Sequence, residues 1–479
     1  MSTEQTEKPD VRMWLAAVAV AALGTWVMYD ALPGINWSMW TAAASIGLLL
    51  FQRHSLPRAV LIPIAGAVII ALGAAVTADE FMLFLSVLSV IMLLAFAMLL
   101  SPDPRIRRIT AGFFVSAPIV AFATAISQTF SRVSNALQLV RSDRARSVLR
   151  GLMITVPVVV VFALLLSNAD PIFADWREAV KRLLMNWEFL PRTVFFFGLL
   201  TLALGAYSFA IYGQPYTAPL LDYKPRKFLG PTERVILLGS VAVLFWIFLG
   251  VQLSYLFGNL PQVQGSGMTF AEYARRGFAE LTVVATASAV LILVSERFGE
   301  SGQRSGQIRI ATLAVLIAVL LLLSSAFNRV LLYEEAYGFT TARLYAQAYM
   351  LIVAAAVFAL GWEMRGEIDP SRLFRRVFTI ATVTFIVLIY WNHHAWIANR
   401  NIDQATKTGK LDTVYLTRDL GFDAVPTIVD RLPTIPEPSR SDLKRALIAR
   451  YAKRPRLYDS KWYEFNMRRS AAAEALKRL

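Results

Sequence analysis

Apolar runs close to twenty residues long recur along most of this chain, and they restrict its fold more than any other feature. An α-helix rises about 1.5 Å per residue, so about 20 apolar residues cross the roughly 30 Å hydrocarbon core of a bilayer. Twelve segments of this kind can be marked, at 12–29, 36–51, 59–77, 81–100, 109–128, 149–167, 193–212, 234–257, 278–295, 309–327, 343–362 and 376–397. Trp14, Trp26, Trp37, Trp391 and Trp396 stand near their ends, where aromatic rings settle at the membrane–water boundary. The charge is sparse and uneven. Only 17% of the 479 residues are charged, against about 25% in soluble domains, and 27 of the 81 charges fall in 400–479. The sequence therefore predicts an all-α, polytopic transmembrane helix bundle of 11–12 membrane segments with a small all-α extramembrane module. Its parts are a short polar N-terminus (1–11), the bundle (12–399) and the C-terminal module (400–479).

Loop charge predicts the orientation. Lys8 and Arg12 precede the first segment and Arg53 and Arg58 the third, while the turns after segments 1 and 3 carry only Asp30, Asp79 and Glu80. Excess Lys and Arg marks cytoplasmic loops, so the N-terminus is expected inside. Segment 109–128 breaks the alternation, because Arg105, Arg107 and Arg108 precede it and Arg132, Arg141, Arg144, Arg146 and Arg150 follow it. Leaving out 400–479, if all twelve segments cross, inside loops hold 15 Lys/Arg and outside loops 16; if 109–128 enters and returns, the split becomes 23 to 8. The second arrangement fits the rule and places the C-terminal module on the side away from the cytoplasm. The first segment resembles a signal peptide in its flank, but no small-residue cleavage site follows Met28–Tyr29, so it is read as an anchor. Two connecting stretches, 131–150 and 176–190, space their apolar residues as surface-lying or bundle-packed helices would.

The module reads as four short helices. Leu411, Val414, Tyr415 and Leu420 mark the first, and Val425, Ile428, Val429 and Leu432 the second. Leu443, Leu447, Ile448 and Tyr451 mark a third after Ser441–Asp442, and Trp462 and Phe465 a last one after Ser460. Leu416, Val425, Leu443 and Trp462 are expected in its core.

Much chemistry is excluded at once. There is no cysteine, hence no disulfide, thiolate metal site or cysteine nucleophile. Nucleotide-binding, hydrolase and zinc-protease signatures do not occur, and the net charge of +15 reports membrane topology rather than nucleic acid. No cofactor is expected. Of three histidines, His393 and His394 are adjacent, so on one helix their side chains diverge by about 100°, and no metal site is expected from them. The segment interiors are nearly free of charge, with Gln252 the main polar interruption, which disfavours an ion-coupled carrier.

Polar residues gather instead at segment ends. Four clusters all fall outside in the eleven-crossing arrangement: Asn168 to Phe173, Phe270 to Glu280, Asn328 to Arg343, and Asn392 to Asn401. The candidate ligand-binding residues are Asp170, Tyr273, Arg276, Glu280, Arg329, Glu334, Glu335, Tyr337, Arg343, His393 and Arg400. Gly338 would permit a tight bend there, and an arginine at the start of a helix opposes the helix dipole unless an acid or an anion meets it. An ion-pair network locking helix ends together is the competing structural reading, with at least one Arg–carboxylate pair expected among these residues.

The stretches AEYARRGFAEL, NRVLLYEEAYGFTTARLYA and LDTVYLTRDLGFDAVPTIV resemble hallmark segments of the bacterial DUF4173 (DUF4153-related) membrane proteins, from about residue 165 to about 435. The resemblance implies a polytopic bacterial membrane protein and supplies no reaction, cofactor or catalytic residue.

Two functions are expected to compete. In the first, the outer polar cluster binds an envelope ligand or partner protein, for sensing, transport or scaffolding, with the lipid bilayer as surroundings. In the second, the protein is a transferase acting on a lipid-linked substrate at the outer leaflet, with Asp30 as its carboxylate, Asp79 and Glu80 in support, and arginines holding a phosphate. The position of Asp30 separates them: a catalytic Asp30 must sit in a cavity with arginines, whereas a binding protein can leave it exposed in its turn.

Overall fold

Each apolar run winds into a helix because no water in a bilayer can satisfy an open backbone. In the computed structural model these helices are α1 (Val11–Met28), α2 (Ile35–Leu50), α3 (Arg58–Gly73), α4 (Glu80–Leu100), α5 (Ala111–Leu137) and α6 (Phe189–Tyr212). They continue as α7 (Pro231–Phe257), α8 (Phe278–Phe298), α9 (Gly306–Tyr337), α10 (Thr341–Glu363) and α11 (Pro370–Tyr390). The structure describes residues 10–52, 58–102, 111–137, 189–213, 227–257, 278–299, 306–366, 368–451 and 460–479, with single positions at 151, 155 and 159. The expected segment 149–167 and the stretches 138–150 and 176–188 otherwise lie outside the described residues. Among those described, nine helices are long and apolar enough to cross a membrane, and α2 and α3 are apolar but shorter. The protein is a multi-pass, all-α membrane bundle.

Helix starts follow the local sequence. Asp10, Asp79 and Asp369 each accept a hydrogen bond from a first-turn N–H of α1, α4 and α11. Small residues then let helices approach closely, since lipid gives no hydrophobic drive between them. A Cβ on Gly205 of α6 would land 2.1 Å from the carbonyl oxygen of Ala125 in α5. The α7–α10 half packs around Val315, Val319 and Leu322, and the α1–α6 half around Leu204 and Tyr207.

The α5 segment is one uninterrupted helix with Pro118 inside it, so the expected entry and return is replaced. Phe113 and Phe114 pack on Phe96 near the end of α4, and Phe114 on Phe374 and Phe378 near the start of α11. Further along, the Arg132 guanidinium covers the Tyr212 ring and donates to Ser208, while Thr129 donates to the Thr201 carbonyl. Those partners lie in the middle and C-terminal half of α6, against which α5 packs.

The chain breaks after Tyr390, and α12 (His393–Thr408) starts afresh with Asn392 capping it. A π-helical turn (Tyr415–Asp419), α13 (Val425–Arg431), α14 (Ser439–Tyr451) and α15 (Met467–Leu476) follow. Ile397, Ile402, Leu416, Val425, Ile428, Leu443 and Leu447 share one core, so α12 packs with the C-terminal helices. Leu416, Val425 and Leu443 are buried as expected, but Trp462 is 63% exposed and meets Trp26 edge-on at the membrane end of α1.

This small all-α region caps one end of the bundle. The Ile35 N–H donates to the Phe465 carbonyl (3.0 Å), and the Leu32 N–H to Glu464 (3.3 Å), on the turn between α1 and α2. On the turn between α3 and α4, the Met467 N–H donates to the Ala75 carbonyl (2.7 Å), and Asn466 donates to those of Ala74 and Thr77. Carbonyls left open by the end of α3 are thereby satisfied. The turns after α1, α3, α9 and α11 thus share a face with the C-terminal region, opposite the start of α1.

Candidate functional site

Buried ionisable groups converge where that region meets the bundle. Asp79 caps α4 with Oδ1, which accepts from the Phe81 N–H (2.9 Å), and turns Oδ2 toward α10 and α12. The Tyr345 hydroxyl of α10 donates to Oδ2 at 2.6 Å and lies 2.8 Å from His393 Nε2. His393 and His394 bring Nε2 to 3.5 and 3.2 Å from the same oxygen. All three ion-pairing residues are buried. Burial pushes the Asp79 carboxyl up, but bonds from His393 and His394, the charge of His394 and the Tyr345 hydroxyl outweigh it and hold the group well below the ordinary carboxylate range.

Asp79, His393 and His394 offer ligand atoms within 4.8 Å of one another, a grouping of the size a metal ion uses. The hydrogen bonding of His394 argues for a different arrangement. Its Nδ1 accepts from the Gly421 N–H (3.0 Å), so in the neutral ring Nε2 carries the hydrogen and has no lone pair for a cation. That nitrogen lies 3.2 Å from Asp79 Oδ2 without the geometry of a hydrogen bond, and is left as a buried polar atom with no hydrogen-bond partner.

A second buried pair lies beside it. Asp423 accepts from Thr77 (2.8 Å), from the Ala78 N–H (2.8 Å) and from Arg468 (2.7 Å), whose other nitrogen donates to the Tyr390 carbonyl. Five segments of the chain are tied together at these two acids.

The described residues among those nominated from sequence occupy the same face but disperse. Asp170, Tyr273 and Arg276 lie outside the described residues. Glu280 is exposed in the first turn of α8 and Arg329 is half-buried in α9. Glu334 is buried and accepts from Gln347 (2.7 Å), while the exposed Glu335 lends its carbonyl to Gln404. Gly338 takes a left-handed φ of 82°, where a Cβ would also meet Asn401 Oδ1 at 2.8 Å. Arg343 donates to the Gly338 carbonyl and covers the Tyr333 ring at 4.1 Å, with exposed Tyr337 stacked beyond it. Among the described residues it makes no ion pair with Glu334 or Glu335, so the expected arginine–carboxylate pair is replaced there by a carbonyl and a ring. Arg400 is exposed over Trp396.

Open volume lies elsewhere on this face. A groove of about 580 Å³ forms where α1, α6 and the C-terminal region meet. Trp26, Tyr29, Phe196 and Tyr463 supply rings, and Arg192 and Lys461 supply cations, Arg192 lying 5.3 Å over Tyr29. Among the described residues, no carboxylate lines it. Asp30 sits next to Tyr29, exposed in the turn with a φ of 49°, and does not line the groove.

Sequence reasoning missed the meeting of Asp79, Tyr345, Asp423 and Arg468 because each sits in a different segment. The one available signal was Asn392 before His393, a helix-capping residue where one long span was read. No curated relative and no solved structure matches the chain. A family profile, the domain of unknown function DUF4153, matches residues 64–431, most of the 479. That region runs from α3 to α13 and takes in Asp79, Tyr345, both histidines and Asp423, and on its extent the chain belongs to the DUF4153 family.

Proposed function

We propose that this is a binding protein of a bacterial cytoplasmic membrane that holds an amphiphile with an anionic head at the face capped by its C-terminal region. The groove between α1, α6 and that region carries the reading: two cations and four aromatic rings at the membrane edge, with no carboxylate among the described residues that line it. Arginine and lysine suit a phosphate or carboxylate head, and the rings suit the boundary between head and chain. The exposed Asp30 favours binding over transfer chemistry. Loop charge supports the orientation, with the N-terminus inside and residues from α12 onward forming an external module. The buried acid–histidine cluster holds that module in place, and exposed Glu335, Tyr337 and Arg400 lie on the same face beyond the groove.

Dodecyl phosphate and dodecyl maltoside, which share a chain and differ in head, test it on the purified full-length protein. Dodecyl phosphate should raise the melting temperature and shift tryptophan fluorescence through Trp26, and Lys461→Gln and Arg192→Gln should each weaken that effect about tenfold. Equal responses to the two amphiphiles, or no change in either variant, would refute the proposal.

A further inference from the structure

At the opposite end of the bundle the turn between α10 and α11 concentrates arginines. Arg372, Arg375 and Arg376 occupy the first two turns of α11, where the helix dipole makes cations unfavourable unless anions face them. A buried carboxylate meets two of them. Glu363 accepts from Arg372 Nε (2.8 Å) and Nη2 (2.6 Å) and pairs also with Arg376, so a single negative charge is shared by two guanidiniums. Both arginines stay more than 40% exposed on the far side of that contact. The turn's other carboxylates are Asp369, which caps α11, and Glu367, against a fourth arginine, Arg365, over the Trp362 ring.

Beneath the arginines the surface changes character. A groove of about 900 Å³ runs between α9, α10 and α11, walled by Leu320, Ala354, Ala355, Phe358, Ala359 and Ile380, with the three arginines at its mouth and no carboxylate among the described residues that line it. The alanines sink the floor, and α11 buries only Ser371, Leu373 and Ile389, so the groove stays open to the bilayer. An apolar cleft under a basic mouth matches an acyl chain beneath an anionic head.

We propose that this groove is a binding site for one anionic phospholipid, with acyl chain along Ala354, Ala355 and Phe358 and phosphate at Arg372, Arg375 and Arg376. Guanidiniums hold phosphate oxygens two at a time, and a phosphatidylglycerol head adds no cation of its own, whereas phosphatidylcholine brings a quaternary ammonium against the arginines. The site lies on the face that loop charge assigns to the cytoplasm. It is separate from the groove at the capped face and does not depend on it.

Native mass spectrometry of the full-length protein, purified and given phosphatidylglycerol, phosphatidylcholine or inorganic phosphate, decides the matter. One phosphatidylglycerol should stay bound at lipid concentrations about tenfold below those needed for phosphatidylcholine, and inorganic phosphate should not displace it. Arg375→Gln should reduce that retention about tenfold, and Ala355→Phe should do the same by filling the groove while leaving the Glu363 contacts in place. Lys461→Gln, at the other groove, should leave it unchanged. Equal retention of the two lipids, displacement by phosphate, or full retention in both groove variants would overturn the proposal.

Discussion

Asp79 is the residue on which the contacts of the capped face converge. It caps α4 through one oxygen and gathers Tyr345, His393 and His394 around the other, so it joins three helices with one side chain. A carboxyl held low in the folded state adds stability that is complete above its unfolded value, about 3.9, and is lost as pH falls through the lower folded value. Acid should therefore weaken the wild-type protein progressively below pH of about 4. Asp79→Asn keeps the shape without the charge, so it should melt lower at neutral pH and lose less on acidification. Thermal melts across the acid range check this, and parallel curves for the two proteins would contradict it. None of this was legible in the sequence at residue level. Asp79 read as a turn acid that could support Asp30, and His393, though a candidate ligand residue, as a neighbour of His394 on one continuous helix. The break at Trp391–Asn392 instead sets both rings against one carboxylate, their centroids 4.7 Å apart.

Elements were far more legible than their meeting points. An apolar run of about twenty residues has one stable answer in lipid, so the described helices fall where the runs predicted them. The C-terminal helices show the limit. Leu416, Val425 and Leu443 repeat at positions that bury, but Trp462 satisfies the same pattern and faces outward, because its ring serves the contact with Trp26 rather than the core. Segment α5 shows another limit: charge on both flanks signalled something unusual, while composition alone could not distinguish a returning loop from one continuous helix packed on α6. The docking of α15 rests on a buried ion pair. Arg468→Ala leaves Asp423 uncompensated against Thr77 and Ala78, and breaking such a pair costs about 3–5 kcal/mol. Denaturant unfolding should show that loss, and an apolar double replacement, Asp423→Leu with Arg468→Met, should recover much of it. A loss below about 1 kcal/mol for Arg468→Ala would show that the pair does not hold the region down.

For the whole molecule, the arrangement predicts two chemically distinct faces. One carries the C-terminal cap, its aromatic groove and few basic loop residues, and the other carries the arginine-rich turn at α11. Reporter fusions should place Arg141 in the cytoplasm and Lys444 outside; two cytoplasmic signals would contradict the proposed orientation. The central claim is that the C-terminal region is seated on the α1–α2 and α3–α4 turns, since both the buried cluster and the aromatic groove exist only if it is. The chain has no cysteine, so an engineered pair reports without background. Ile35 and Phe465 share a backbone hydrogen bond of 3.0 Å, which brings their α-carbons within reach of a disulfide. Oxidation of Ile35→Cys/Phe465→Cys in native membranes should link the two ends of the chain in most molecules, whereas Ile35→Cys paired with a cysteine at Lys444 should not link. Free thiols at both 35 and 465 after oxidation, each open to a membrane-impermeant maleimide, would contradict the seating and the groove with it.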